Sequence, residues 1–416
     1  MPEQPGSAVW RAEAQRGILA FAQRSRLSRG FGWLNDEGRI DVAKCPQLWI
    51  NTRMTYVFSL ASLAGDDDSI DFATHGVEAL STLFHDEVHS GWFAETQPTT
   101  KTCYEHSFVL LAACAAHAAG IDGAQPLLDE ALAVHDNHFW DDAQGRCVEE
   151  WDRNWLTVDP YRGANSNMHT VEAYLFAADV TGDDLWRGRA LSICERLING
   201  VARSNGWRLP EHFDADWVPL HGYNADRPED PFRPYGATPG HALEWARLLV
   251  QLSASLSNTT LSGTVLSGTA LGGTALTEPE PWLLEAAEGL FETAVADGVR
   301  GDVPGICYTT NWDGKPVVAE RFHWVIAEAI LAADALARAT DTSRYRDFAD
   351  RWWREVDAHF TDPATGSWHH ELSPTMGPSA RIWPGQPDAF HIFNAVTMPD
   401  LPLAPTAVIT STKECL

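Results

Sequence analysis

The sequence predicts an all-α protein, an (α/α)6 toroid of about twelve helices in six hairpins with short extended loop pieces on one face. Three observations carry this expectation. Apolar residues recur at three- and four-residue spacing through most of the chain, and period-two alternation is scarce. A turn motif also returns: "LFHDEVHSGWFAE" from Leu83, "HFWDDAQGRCVEEWD" from His138 and "HFTDPATGSWHHELS" from His359. Each copy follows a helix and runs aromatic, Asp, short turn, Gly, then an extended piece. The first two stand about 55 residues apart, the length of one helical hairpin. An open α-solenoid would also repeat, but it has no need of Trp-rich extended loops.

In order, helices are expected at 8–24, 51–64, 70–85, 104–119, 125–138, 167–181, 184–202, 239–253, 281–297, 321–339, 343–359 and 388–397. Several stop at Gly or in a Gly-Asp or Thr-Asp turn, in "LAGDDD", "VTGDDL" and "ATDTSR". The most apolar, "SFVLLAACAAHAAGI", is about 15 residues long and contains His117, too short for a membrane span. The whole of 1–416 reads as a single catalytic domain with two departures. A low-complexity insertion is expected at about 254–280, where "LSNTTLSGTVLSGTALGGTALTEPE" is too short of charge and bulk for a helix or a core. A loose tail is expected at about 403–416.

The 416 residues hold 30 Lys and Arg against 57 Asp and Glu, a net charge of −27. That excludes the basic footprint of a nucleic-acid binder and disfavours an anionic membrane surface. Seven scattered Cys without a CxxC give neither a disulfide framework nor a zinc ribbon, so reduced thiols and a cytoplasmic location are expected. The opening "MPEQPGSAVWRAEAQRGILAFAQ" lacks the apolar core of a signal peptide. The expected partner is a small molecule, with the chain a monomer or homodimer. Eighteen Trp suit either a wide core or the flat apolar walls of a pocket.

Four stretches can carry chemistry. "LWINTRMTYVFSLA" sets Arg53 at the start of an otherwise apolar helix, where it needs a carboxylate, a carbonyl or a ligand. "NSNMHTVEAYL" and "GHALEWARLLV" repeat one device, His169 with Glu172 and His241 with Glu244. Residues three apart share a helix face, and a carboxylate beside an imidazole raises its pKa and fixes its tautomer, which suits acid/base work. Each histidine could instead be a satisfied core residue. In "WPGQPDAFHIFNA" a rigid loop places His391 at the opening of the last helix.

With "KTCYEHSFVLLA", these stretches resemble the N-acylglucosamine 2-epimerase family of sugar isomerases and epimerases, in family order from about residue 8 to 400. The resemblance is closest to the branch of D-mannose and sulfoquinovose isomerases. It implies an (α/α)6 barrel and cofactor-free, metal-free interconversion of aldoses and ketoses, with D-mannose and D-fructose the leading pair. It makes Arg53 the sugar-binding arginine, His169 a contact near the reacting carbons, and His241 and His391 the acid/base pair, with Glu244 orienting His241. Trp49, Tyr104, Asn165 and Met168 match pocket-wall positions, and Glu172, Arg233 and Trp312 join the expected substrate contacts. Arg233 is the candidate cation for a sulfonated sugar. The family often shows Lys-Pro-Asp and a Tyr before its last histidine, where this chain has Gln386-Pro387-Asp388 and Phe390.

Such chemistry removes the C2 proton of the open-chain aldose, forms a cis-enediol and returns the proton to C1. Histidine is poised for it near neutral pH, and Arg53 can stabilise the enediolate. The rivals are a 2-epimerase (N-acylglucosamine or cellobiose type), a glycosidase using Glu95 and Glu371, a metal enzyme built on His85 and His89 in "HDEVH", and a non-catalytic sugar-binding toroid.

Overall fold

The computed structural model describes residues 3–261, 280–301 and 303–406. Twelve α-helices appear among them: α1 Ala8–Ala22, α2 Leu48–Leu63, α3 Ser69–Thr82, α4 Cys103–Ala118, α5 Ala124–Val134, α6 Ala164–Thr181, α7 Asp184–Cys194, α8 Pro239–Leu261, α9 Trp282–Gly298, α10 His323–Thr340, α11 Ser343–Glu355 and α12 Phe390–Thr397. The even-numbered helices pack in a closed ring, α2 on α4, α4 on α6, α6 on α8, α8 on α10, α10 on α12 and α12 back on α2. Each odd-numbered helix packs outside a ring member, α3 on α2 through α11 on α10, with α1 on α12. This is the (α/α)6 toroid.

Ring position explains the residue patterns. α2 is buried at every residue from Leu48 to Ala61. α3 buries only one face, through Ala73, Val77 and Leu80 among others. A helix surrounded on all sides carries apolar residues all round, and an outer one carries a stripe.

The repeated motif is a β-hairpin. His85 pairs with Trp92, Trp140–Asp141 with Arg146–Cys147, and Thr361–Asp362 with Ser367–Trp368. The shared glycines Gly91, Gly145 and Gly366 take φ of 75°, 65° and 78°, the left-handed region that favours glycine. The shared aspartates cap the turn: Asp86, Asp141 and Asp362 each accept a backbone N–H two residues on. Elsewhere, Lys101–Thr102, Arg162–Gly163 and Arg321–Phe322 pair with Glu150–Trp151, His212–Phe213 and Glu371–Leu372, just ahead of α4, α6 and α10. These pairs pin the N-terminal ends of ring helices.

The start of the expected insertion and of the expected tail both differ from the sequence reading. α8 continues to Leu261, because Leu252 and buried Leu256 extend the apolar stripe of Leu248 past the change in composition. Residues 262–279 lie outside the described residues. At the other end Leu403 packs on the core, Asn258 donates to the Ala404 carbonyl at 3.1 Å, and the Thr406 N–H reaches Asp179 at 2.7 Å. Residues 407–416 also lie outside the described residues.

Candidate active site

The ring helices converge their first two turns on one cavity of about 670 Å³, open mouth included. Trp49 and Arg53 enter from α2, Tyr104 from α4, Asn165 and His169 from α6, His241 and Glu244 from α8, His323 and Trp324 from α10, and His391 from α12. Loops add Phe232, Tyr308, His370, Trp383 and Asp388. Six helix N-termini aimed at one space make it favourable for developing negative charge.

Arg53 is held from both ends. It donates to Asp388 at 3.1 Å and to the Tyr104 hydroxyl at 3.0 Å, with its guanidinium 4.4 Å from the centre of the Phe108 ring. Burial weakens the charge on this pair, yet Tyr104 and Asp388 keep Arg53 cationic, and Arg53 holds Asp388 below its ordinary range. A neighbouring carboxylate and a ligand contact, the two readings of Arg53 from its helix, are compatible here.

Two imidazoles are each fixed by a carboxylate through Nδ1. His241 meets Glu211 at 2.9 Å and His391 meets Glu328 at 2.8 Å. An ionised carboxylate only accepts, so Nδ1 carries the hydrogen and Nε2 is the basic nitrogen in both rings. Burial, and then Arg53, hold His391 well below the ordinary histidine range, so it is neutral. Trp324 lies beside both, 5.2 Å from the His241 ring and 5.8 Å from the His391 ring. That approach depends on Gly240, where a Cβ would come within 2.5 Å of the Trp324 ring.

Glu244 therefore does not orient His241. It turns to Arg247, at 3.4 Å, and stands 3.7 Å from His169 Nδ1. Arg247, buried beneath the cavity, also donates to Glu172 at 3.1 Å and to Glu328 at 2.8 Å. Burial and then Glu328 push Glu244 well above its ordinary range. Glu172 stays ionised against the cost of burial because Arg247 faces it. His169 lies 3.6 Å from Glu172, and burial holds it down at about 4. The donor atoms of His169, Glu172 and Glu244, and those of Glu244, Glu328 and His391, lie close enough to ligate a metal. All three carboxylates already bond to the Arg247 guanidinium, which supplies their counter-charge.

Four expected substrate contacts fall outside the cavity wall. Met168 is fully buried in the core, because the residue before His169 is turned about 100° around the helix from it. Glu172 shares the His169 face but lies a turn deeper, against Arg247. Arg233 lies 4.1 Å over the Tyr161 ring and 3.7 Å from Glu150. Trp312 donates to the His221 carbonyl at 2.9 Å in an outer loop. The rival sets are occupied elsewhere: His85 bonds Glu130, Glu95 takes Gln47, and Glu371 accepts three backbone N–H groups.

Several site residues escaped the sequence reading. Glu328 and Arg247 carry the same signal that marked Arg53, an ionisable residue inside an apolar helix. The His323 and His370 rings lie 4.4 Å apart at a tilt of 59°, and each keeps a buried Nδ1 without a protein partner. Burial lowers both, His370 to about 4. Glu211, Tyr308, Phe232 and Trp383 come from loops, where no periodicity marks a direction.

A helical toroid with a charged arginine, two carboxylate-held imidazoles and aromatic walls defines a class. The family model of N-acylglucosamine 2-epimerase (GlcNAc 2-epimerase) matches residues 30–395, and the chain belongs to that family. It is 43% identical over 403 residues to a D-mannose isomerase of Thermobifida fusca, covering 95% of this chain and 94% of that one. It is 42% identical over 407 residues to a D-mannose isomerase of Pseudomonas cannabina pv. alisalensis, covering 97% and 94%. A crystal structure of D-mannose isomerase superposes with a TM-score of 0.85 at 25% identity, over 96% of this chain and 99% of that one.

Proposed function

We propose that this protein is an aldose-ketose isomerase that interconverts D-mannose and D-fructose through a cis-enediol. The observation that carries the reading is the pair of imidazoles, His241 on Glu211 and His391 on Glu328, each with Nε2 as its basic nitrogen in one cavity with Arg53. The comparison with full-length D-mannose isomerases supports the substrate.

In this reading one Nε2 takes the C2 proton of the open-chain aldose and returns it to C1. The other opens the ring and exchanges the proton between O1 and O2. His391 suits the carbon-bound proton. Its low affinity for a proton makes it a neutral base at the working pH, and Arg53 beside it stabilises the enediolate. His241 serves the oxygens. His169 and Glu244 face the sugar from the cavity wall, and Trp49, Trp324 and Trp383 pack its apolar faces.

A neutral hexose suits the cavity better than a sulfonated or phosphorylated one. Among the described wall residues Arg53 is the one permanent cation, and Asp388 already pairs with it. The test is NMR of D-mannose in D2O with chelator-treated protein. Fructose carrying solvent deuterium at C1 is expected. Glucose appearing first would move the reading to 2-epimerisation by the same residues, and an unchanged spectrum would reject it.

A further inference from the structure

Arg247 is not part of the cavity wall, yet it is bonded to one of the two imidazole dyads and not to the other. Glu328 is the link. Its Oε1 meets His391 Nδ1 at 2.8 Å, and its Oε2 takes Arg247 Nε at 2.8 Å. In the other dyad Glu211 Oε1 meets His241 Nδ1 at 2.9 Å, and Glu211 Oε2 is buried with no partner in the protein. Among the described residues no Lys or Arg pairs with Glu211. We propose that Arg247 is a positioning residue that divides the labour between the two histidines, acting through Glu328 to keep His391 a neutral base for the carbon-bound proton. The carbon-bound proton belongs to the isomerase reading above; the state of the His391 ring can be read without it.

A carboxylate shared with a guanidinium has less charge to offer an imidazole. A protonated His391 would be a second cation on Glu328, repelled by the first. Burial comes first in lowering this ring's hold on a proton, then Arg53, whose guanidinium is already bonded to Asp388 and Tyr104. The other titratable groups around the ring are His169 and Glu172 on α6, Glu244 on α8 and His323 on α10. Arg247 bonds both of these glutamates as well, Glu172 at 3.1 Å and Glu244 at 3.4 Å. The guanidinium is fixed in that place. It is 2% exposed, its Nη1 is bonded to Gln251 Oε1 at 3.1 Å, Tyr56 faces it from α2, and Asp334 and Arg338 line the cleft beneath it.

The consequence for the reaction follows from the proton count. Neutral His391 takes the C2 proton on Nε2 as the C–H electron pair becomes the C1–C2 double bond. It gives the proton to C1 as O2 becomes the carbonyl oxygen. A ring that already carries a second proton cannot begin. Without Arg247, Glu172 and Glu328 are buried carboxylates that have lost their cation. His391 is the ring hydrogen-bonded to one of them, so it is placed to take up a proton and replace the lost charge. The His241 dyad has no cation to lose, and the same change leaves it as it was.

The test is nitrogen NMR of the full-length protein labelled with 15N-histidine, at neutral pH, with the His391 signals assigned by their absence from His391→Gln. A neutral ring shows two unlike nitrogens and an imidazolium two similar ones. Wild type should show the first pattern and Arg247→Gln the second, with the acid limb of kcat/KM for D-mannose moved up by about 1–3 pH units. Arg247→Lys, which keeps the charge, should return the limb towards its wild-type position. Lower activity in Arg247→Gln with the limb and the nitrogens unmoved is the mark of lost packing alone and overturns the role. If that variant does not fold, Arg247→Gln with Glu172→Gln removes one charge of each sign. Glu172 bonds Arg247 and not His391, so an imidazolium is expected there too, and a neutral ring overturns the link through Glu328. Mannose turnover by the wild type with a neutral ring in every variant sinks this inference alone. A switch of the ring without mannose turnover by the wild type sinks the isomerase reading and leaves Arg247 as the group that sets the state of His391.

Discussion

Helices α6 and α8 carry the same four-residue device and use it differently. On α6, His169 stays near its own Glu172, 3.6 Å away, and is buried beside the Phe108 ring. On α8, His241 leaves Glu244 and takes Glu211 from the loop ahead of the helix. Both glutamates instead converge on Arg247. The spacing guarantees a shared face and nothing more. Which carboxylate an imidazole meets depends on what the neighbouring elements bring within reach.

This contrast makes the two histidines unequal, and the predictions test that inequality. The largest effect is expected for His241→Gln and His391→Gln, each lowering kcat on D-mannose by about 10²–10⁴-fold as lost acid/base catalysts. His169→Gln should cost roughly tenfold, mostly in KM, as a lost hydrogen bond. Equal losses at His169 and His241 would break the comparison. Arg247→Met should destabilise the fold by about 3–5 kcal/mol in a urea melt, because it leaves Glu172, Glu244 and Glu328 buried without their cation. A near-neutral melt would mean that the three carboxylates share protons instead.

Glu211→Gln should lower kcat by roughly 10²-fold, since an amide no longer selects the His241 tautomer with a basic Nε2. Glu244→Gln should leave the acid limb of the kcat profile in place; a displaced limb would restore Glu244 as the orienting group. Acid stability gives a smaller signal. His169 and His370 fall from 6.5 to about 4 in the fold, and His323 and His391 fall as well. The unfolded chain then binds more protons, so stability is present above pH 6.5 and is lost as pH falls towards 4. Glu244 and Glu105, both raised by burial, contribute with the opposite sign. Thermal melts across that window check the slope, and a flat profile would show these rings charged in the fold. The smallest effect is expected for Trp383→Ala. Its ring lies 5.0 Å from Phe232 and 6.1 Å from Trp49 at the cavity wall, and its loss should raise KM by about 1 kcal/mol equivalent.

The barrel was legible because a closed ring imposes a local rule. Ring helices are buried on every side and outer helices on one, so α2 and α3 differ in how their apolar positions are spread around the helix. The turn motif was legible for a similar reason, since a left-handed residue asks for Gly91, Gly145 or Gly366 and an Asp to cap the turn. His169, His241, His391 and Arg53 were readable as polar residues opening apolar helices, Asn165 came only with the family resemblance, and the fold brings all five together.

The sequence by itself thus determined the helices, their ring and the polar residues at the helix mouths, because period, turn chemistry and burial act over a few residues. Only the tertiary structure decided the pairs. Glu211 on His241, Glu328 on His391, Asp388 on Arg53 and three glutamates on Arg247 join residues 30, 63, 335 and up to 81 positions apart. Charge pairing follows distance in space, and no local pattern encodes which helix ends will meet across a closed ring.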